Sequence, residues 1–260
     1  MPSFNANRFA PPSHRPPPTD PFDGVILVDK PVGPTSHDLV AGFRRVFRLD
    51  KVGHGGTLDP NATGLLVILL GRGTRLSAQI MGGDKSYEGV MRLGRTTNTQ
   101  DIEGATLEEK PCEGITAEQI QAQMDARLGD SFQTPPMVSA VKINGTPLYK
   151  LARKGEEIAR EPRFIHLYRF RLLRWESPLA TLDVVCTKGT YIRTLCHDIG
   201  QSLGCGACLD ALRRTASGSF RIEDALPFDD LLKLPKDQLA ARVIPYQKLL
   251  NTQPAAAHTP

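Results

Sequence analysis

This 260-residue chain has no apolar run approaching the ~20 residues of a membrane-spanning helix. Its N-terminus lacks the apolar core of a signal sequence, so export is not expected. The five cysteines are therefore expected to stay reduced, in the cytoplasm. Cys205-Gly206-Ala207-Cys208 has C-x-x-C spacing with Cys196-His197 just upstream, but no second tight pair supplies the remaining ligands of a zinc site. Buried structural cysteine is the favoured reading, and no metal is expected. The glycine-dense stretch at residues 53–64 contains no lysine, which excludes a phosphate-cradling P-loop, and it carries no G-x-G-x-x-G dinucleotide signature. A packable composition is also missing at both ends. Residues 1–20 are polar and carry Pro11, Pro12, Pro16, Pro17 and Pro18. They read as a disordered tail, as do residues 251–260. Residues 21–250 remain as the folded part, long enough to bury a sizeable core.

The most informative stretch is Gly53-His54-Gly55-Gly56-Thr57-Leu58-Asp59-Pro60-Asn61-Ala62-Thr63-Gly64. It holds one carboxylate, Asp59, in a loop where glycines allow close backbone approach or positive φ. Pro60 biases Asp59 toward an extended conformation. The apolar run at residues 65–70 reads as a buried strand. An acid in a stiff loop before a core strand suits a catalytic group on a rigid support. The residues alone equally allow a turn-forming Asp that bonds its own backbone.

The segment G-H-G-G-T-L-D-P-N-A-T-G-L-L resembles the signature of the TruB family of tRNA pseudouridine synthases. Gly55 and Thr57 stand at that signature's variable places. Further landmarks follow in order. Val28-Asp29-Lys30-Pro31-Val32-Gly33-Pro34-Thr35-Ser36 is similar to the family's N-terminal K-P-x-G-x-[ST]-S motif. Asp84-Lys85-Ser86-Tyr87 resembles the segment whose tyrosine stacks on the target base. Residues 135–142, continuing to Gly145, Leu148-Tyr149 and Ala152-Arg153, resemble an RNA-gripping thumb, an insertion spanning about residues 132–160. Lys188-Gly189-Thr190-Tyr191-Ile192-Arg193-Thr194 resembles the third catalytic motif, and Leu212-Arg213-Arg214-Thr215 a closing motif near the pocket. Asn98 stands where the family often has Asp, a change expected to affect only a turn. Many bacterial relatives carry a C-terminal PUA-type RNA-binding domain, and the residues after Pro245 are too few for one.

The resemblance implies an α+β pseudouridine synthase fold, a mixed, mainly antiparallel sheet with flanking helices and a central active-site cleft. It implies an enzyme that isomerises uridine 55 in the T-loop of tRNA, acting as a monomer on the T-arm. The C1′–N1 glycosidic bond breaks, the uracil turns, and C1′ joins C5. No redox change or energy input is involved, so no cofactor is implied. The target base is flipped out of its stack first, at a cost of a few kcal/mol. Asp59 then attacks C1′ or removes the C2′ proton, and the sequence leaves both routes open. Arg193 would favour the ionised carboxylate by Coulombic attraction, against the alternative of a surface arginine on a helix. Tyr87 would stack on the flipped uracil, His54 would fill the space the base leaves, and Tyr191 and Leu212 would line the pocket. Without the resemblance these four read as a half-buried strand tyrosine, a turn-capping histidine, and pocket or core residues. Lys30 with Pro31 would brace the catalytic loop.

Charge and periodicity fill in the rest. Nine Lys/Arg face three acids, Glu156, Glu157 and Glu161, between positions 142 and 174, although the whole chain carries only +4. Such a stripe is an electrostatic footprint for a polyanion. Lys142, Lys150, Arg153 and Lys154 are its candidate RNA-backbone contacts, with Tyr149, His166 and Tyr168 interleaved for stacking. Residues 24–28, 87–93, 164–175 and 179–186 read as strands, the last two turning at Ser177-Pro178. Residues 36–48 and 191–203 read as helices. Thr116-x-x-Gln119 predicts a capping box opening a helix to about Leu128, stopped by Gly129. There is no regular βαβ period, which argues for α+β. Two rival classes stay open. One is a catalytically silent RNA-binding protein on the same scaffold. The other is a nucleoside or glycoside hydrolase, which would need a second carboxylate such as Asp29 or Asp198.

Overall fold

The computed structural model describes residues 20–139, 141–143, 145–152 and 155–250. Both tail expectations lie outside these residues. The elements in chain order are β1 (Gly24–Lys30), α1 (Ser36–Phe47), β2 (Val52–His54), β3 (Thr63–Leu70) and α2 (Ser77–Gly82). Next come β4 (Lys85–Leu93), the hairpin β5 (Arg95–Thr97) and β6 (Thr106–Glu109), α3 (Ala117–Asp125) and β7 (Gly129–Gln133). The segment that follows holds β8 (Lys142–Ile143), β9 (Thr146–Pro147) and α4 (Leu148–Ala152). The long hairpin β10 (Arg163–Glu176) and β11 (Leu179–Cys186) leads to α5 (Ile192–Leu203) and β12 (Ala207–Ser217). The chain closes with β13 (Phe220–Arg221), β14 (Leu226–Pro227), α6 (Phe228–Lys233), α7 (Lys236–Arg242), β15 (Ile244–Pro245) and α8 (Tyr246–Leu250).

Eleven strands form one sheet with the path β14-β1-β3-β12-β4-β11-β10-β7, and β13, β15 and β2 pair at its side. The pairings β1–β14 and β3–β12 are parallel and the others antiparallel. The architecture is therefore α+β, with helices packed on a mainly antiparallel sheet. The apolar face of α1 (Leu39, Val40, Phe43, Phe47) packs with Ile26, Val28, Leu66 and Ile68 of β1 and β3. The faces of α3 and α5 (Ile120, Met124, Leu195, Ile199) pack on β4, β10 and β11 through Met91, Phe170 and Leu182. No helix among the described residues is long and apolar enough to cross a membrane.

Local signals account for most boundaries. Thr35 caps α1 with Asp38 in a reciprocal capping box, and Arg48 closes the helix in the left-handed region. Thr116 and Gln119 form the predicted box at the start of α3. That helix ends at Asp125, three residues before the expected Leu128. Arg127 and Leu128 instead donate to the carbonyls of Met124 and Asp125, a tight turn that delivers the chain to Gly129 at φ +85°. The strand β12 carries no alternating pattern in sequence, yet it is inserted between β3 and β4 at the middle of the sheet. Gly64 makes that insertion possible. It sits at φ +96°, and a Cβ there would lie 2.3 Å from the Arg214 carbonyl oxygen.

Candidate active site

The loop between β2 and β3 is held from three directions. Lys30, at the end of β1 and fully buried, donates from Nζ to the carbonyls of Pro31 (2.9 Å), Pro60 (2.9 Å) and Ala62 (2.8 Å). Burial pushes its ammonium down to about 8, against the pull of Asp59. The Ser36 hydroxyl, in the first turn of α1, accepts from Leu58 N–H (2.9 Å) and donates to Leu58 O (3.1 Å). From β12, the buried Arg214 guanidinium donates to Leu65 O (2.7 Å), Gly56 O (3.2 Å) and Thr57 O (3.4 Å). Leu58 and Ala62 anchor the loop in the core. Asp59 is left pointing outward, its side chain 48% exposed.

Asp59 meets Arg193 from α5. Arg193 Nε donates to Asp59 Oδ2 at 3.0 Å, Nη1 to Thr99 O at 2.7 Å and Nη2 to Val138 O at 2.8 Å. Only 4% of this side chain is exposed, so the expected pairing is present and the surface alternative is excluded. A second acid, Asp101, approaches Arg193 Nε at 3.7 Å and accepts from the Thr99 hydroxyl at 2.6 Å. A cation that lies between two carboxylates and is tied to two carbonyls has little freedom to move.

A cleft of about 500 Å³ opens over this pair, lined among others by Asp59, Tyr87, Tyr191, Arg193, Leu212 and Arg214. Tyr87 stands on β4 with its phenol pushed up to about 12 by burial, and it is hydrogen-bonded to the Arg214 guanidinium. It is a neutral ring at physiological pH. Lys85, two residues earlier, also lines the cleft and is held by the carbonyls of Ile80, Met81 and Gly83. Burial pushes it down to about 8 as well. Tyr191 precedes α5, and its backbone N–H and C=O are both bonded to the Gln133 amide, at 2.8 and 3.1 Å. Gln133 is buried at the end of β7, so the sheet edge and α5 are joined beside the cleft.

The structure thus brings Asp59, Tyr87, Tyr191, Arg193 and Leu212 together. His54 is not among the cleft-lining residues. Its ring Nδ1 accepts from Gly56 N–H at 3.4 Å, the turn-capping role. Burial, with Arg214 and His37 nearby, holds its imidazole below the usual range. Lys142 lies on β8 and Lys150 on α4, but their side chains, and Arg153 and Lys154 altogether, lie outside the described residues. Asp29 is tied to Arg213 by two bonds of 3.0 and 2.7 Å, and Asp198 lies beside His197 and Arg127. Neither lines the cleft, so neither is placed to be the second acid of a hydrolase. Asn98 lies in the turn that joins β5 to β6, as expected. Sequence reasoning missed Ser36, Gln133 and Asp101. Only Ser36 had a signal, its place in a motif.

The chain is similar to known proteins over most of its length. The family model described as TruB family pseudouridylate synthase (N terminal domain) matches residues 44–192. That of the tRNA pseudouridylate synthase B C-terminal domain matches residues 193–251. The tRNA pseudouridine synthase B of Opitutus terrae is 50% identical over 224 residues, covering 86% of this chain and 93% of that protein. That of Syntrophotalea carbinolica is 48% identical over 218 residues, covering 84% and 71%. Among solved structures, a Cbf5-Nop10-Gar1 complex contains a chain that superposes with a TM-score of 0.69 at 31% identity, covering 88% of this chain and 61% of that one. An H/ACA RNP bound to a substrate RNA containing 2′-deoxyuridine gives 0.66 at 28%, covering 87% and 60%.

Proposed function

We propose, from the premise that this chain belongs to the TruB family of pseudouridine synthases and isomerises uridine in tRNA, that Asp59 is its catalytic residue and uridine 55 of the T-loop its target. The observation that carries the reading is the half-exposed Asp59 carboxylate held 3.0 Å from the buried Arg193 guanidinium at a base-sized cleft. Asp59 reaches the cleft from a loop that two buried cations and one hydroxyl hold rigid, the preorganisation that nucleophilic or base catalysis requires.

The chemistry uses few groups. The flipped uracil enters against the neutral Tyr87 ring, with Tyr191 and Leu212 beside it. Asp59 attacks C1′ or takes the C2′ proton as the C1′–N1 bond breaks. The freed base turns and C5 bonds to C1′, as the Asp59–C1′ ester bond breaks in the first route or as Asp59 returns the proton to C2′ in the second. The C5 proton then leaves to a base, for which Asp59 is the available carboxylate, and N1 ends protonated. Arg193 fixes the position of the Asp59 carboxylate through its 3.0 Å bond. A monomer is the proposed active species. The cytoplasm, where tRNA is found, is the proposed compartment.

The test is incubation of an unmodified tRNA T-arm with the purified protein, followed by mapping of pseudouridine by carbodiimide labelling. Pseudouridine at position 55 with RNA mass unchanged is expected. Loss of the base would indicate hydrolysis instead. Asp59→Asn should abolish product while RNA binding survives, because affinity comes from phosphate and loop interactions. Turnover by that variant within tenfold of wild type would remove Asp59 from the chemistry.

A further inference from the structure

Two phenylalanines stand at the outer end of the sheet with most of their surface in water. Phe132 on β7 is 73% exposed and Phe164 on β10 is 58% exposed. They are directly opposite in the strand register, and their rings meet edge to face with centroids 6.0 Å apart. Phe164 and its neighbour Arg163 line the same cleft as Asp59, as does Lys188. Two residues further along β10, His166 is paired with Asp130 of β7. Its ring lies 4.3 Å from that of Tyr168, which is hydrogen-bonded to Asp84. Two pairs of rings thus run outward from the mouth of the cleft, one beyond the other along β10. A cross-strand aromatic pair adds some sheet stability, but an edge strand is normally protected by charge or proline rather than by exposed apolar rings.

We infer that Phe132 and Phe164 form a stacking platform for an unpaired RNA base next to the flipped uridine, with His166 and Tyr168 continuing it outward. This rests on the T-arm reading above. Flipping one nucleotide from a loop unstacks its neighbours, and a neighbour that finds an aromatic face regains part of the lost stacking. Such stacking tolerates any base, because every base has a π-face. Arg163 and Lys188 stand at the same mouth to meet the phosphates between the two nucleotides, and the acids on this face, Asp130 and Asp84, are already bonded to His166 and Tyr168. Neither phenylalanine touches the reacting atoms. They are binding residues, and they set where the loop sits when the uridine enters.

The experiment uses the full chain and an unmodified T-arm stem-loop in which 2-aminopurine replaces one loop nucleotide at a time beside the target. Phe132→Leu/Phe164→Leu keeps apolar volume and removes both rings, and Phe164→Trp keeps a ring. The leucine pair is expected to bind roughly tenfold weaker and to lose the fluorescence quench at one flanking position. Its log K against log salt slope should stay unchanged, and Phe164→Trp should retain the quench. Binding within twofold with the quench intact would overturn the platform. A flattened salt slope accompanying the weaker binding would overturn it too, by assigning the effect to phosphates. Faster tryptic cleavage between residues 139 and 163 of the free leucine variant, with affinity retained, would show that the rings cover this chain's own insertion instead. Turnover of the same stem-loop by wild type is scored separately. Its absence would refute the T-arm reading, whereas turnover without any ring-dependent quench would refute only the platform.

Discussion

Arg193 serves several partners beside the cleft. Its guanidinium bonds Asp59, Thr99 O and Val138 O at once, and Asp101 faces the same Nε. Arg193→Lys keeps the charge but cannot satisfy three acceptors in a fixed plane. Arg193→Met leaves two partly buried carbonyls unpaired, at ~1–3 kcal/mol each. Single-turnover rates should fall roughly 10²-fold in the methionine variant through misplacement of the carboxylate, with a far smaller change in tRNA Kd. If affinity alone falls, Arg193 binds phosphate instead. Tyr87 offers a pH signature. Its phenol titrates at about 12 in the folded chain against 10.0 when exposed. The sign is that of a raised acid: the stability linked to this burial is fully present below pH 10 and is lost as pH rises through 12. An alkaline titration of tyrosine absorbance should show its latest phase from Tyr87, after Tyr168, which is also raised, and Tyr87→Phe should remove that latest phase.

At the scale of elements, Gly64 combines a close backbone approach with a positive φ. Gly64→Ala would place a methyl against the Arg214 backbone at a positive φ. It should cost about 2–4 kcal/mol, read as a lower urea midpoint with an unchanged slope. A cost under about 0.5 kcal/mol, the range of an ordinary surface change, would mean that β3 and β12 separate more easily than their packing indicates. The same strand marks where the sequence stopped being legible. β3 and β4 were readable from their apolar residues, α1 because its apolar residues recur at helical spacing, and α3 because its cap is local. β12 was not, because its centre holds Arg213 and Arg214, which hydropathy assigns to the surface. Arg214 is in fact among the most buried side chains, and it satisfies itself on three carbonyls of the Asp59 loop and β3. The loop's own motif was legible as chemistry. The groups that brace it come from distant segments: Lys30 was expected in that role from its motif, which also holds Ser36, whereas the brace from Arg214 was not.

For the whole molecule, the basic excess between positions 142 and 174 remains an expectation from charge alone. Neutralising Lys150, Arg153 and Lys154 together should flatten the log K against log salt slope by about two units, at roughly 0.7–0.9 for each phosphate no longer neutralised. It should weaken binding to any structured RNA and leave turnover at saturating tRNA nearly unchanged. An unchanged slope would place the RNA on another face. This behaviour is the reverse of that expected for the ring pair, whose removal lowers affinity without touching the slope. Stacking and charge neutralisation are therefore separable in one titration series.

The position of β12 between β3 and β4 also governs how the molecule is made. β3 is apolar along nearly its whole length, and its partner across the parallel pairing lies 150 residues further on, from Gly64 to Arg214. On the ribosome that distance is roughly 7–30 s of synthesis at ~5–20 residues per second. For that time β1 covers one side of β3, and on the other side β2 covers only residues 68–70, so the Thr63–Gly64 end has no neighbouring strand there. Long-range pairing of this kind also slows refolding of the finished chain. The active site inherits the delay, because Arg214 locks the Asp59 loop and arrives on the same late strand. The nascent chain therefore carries the Asp59 carboxylate well before the strand that fixes its loop.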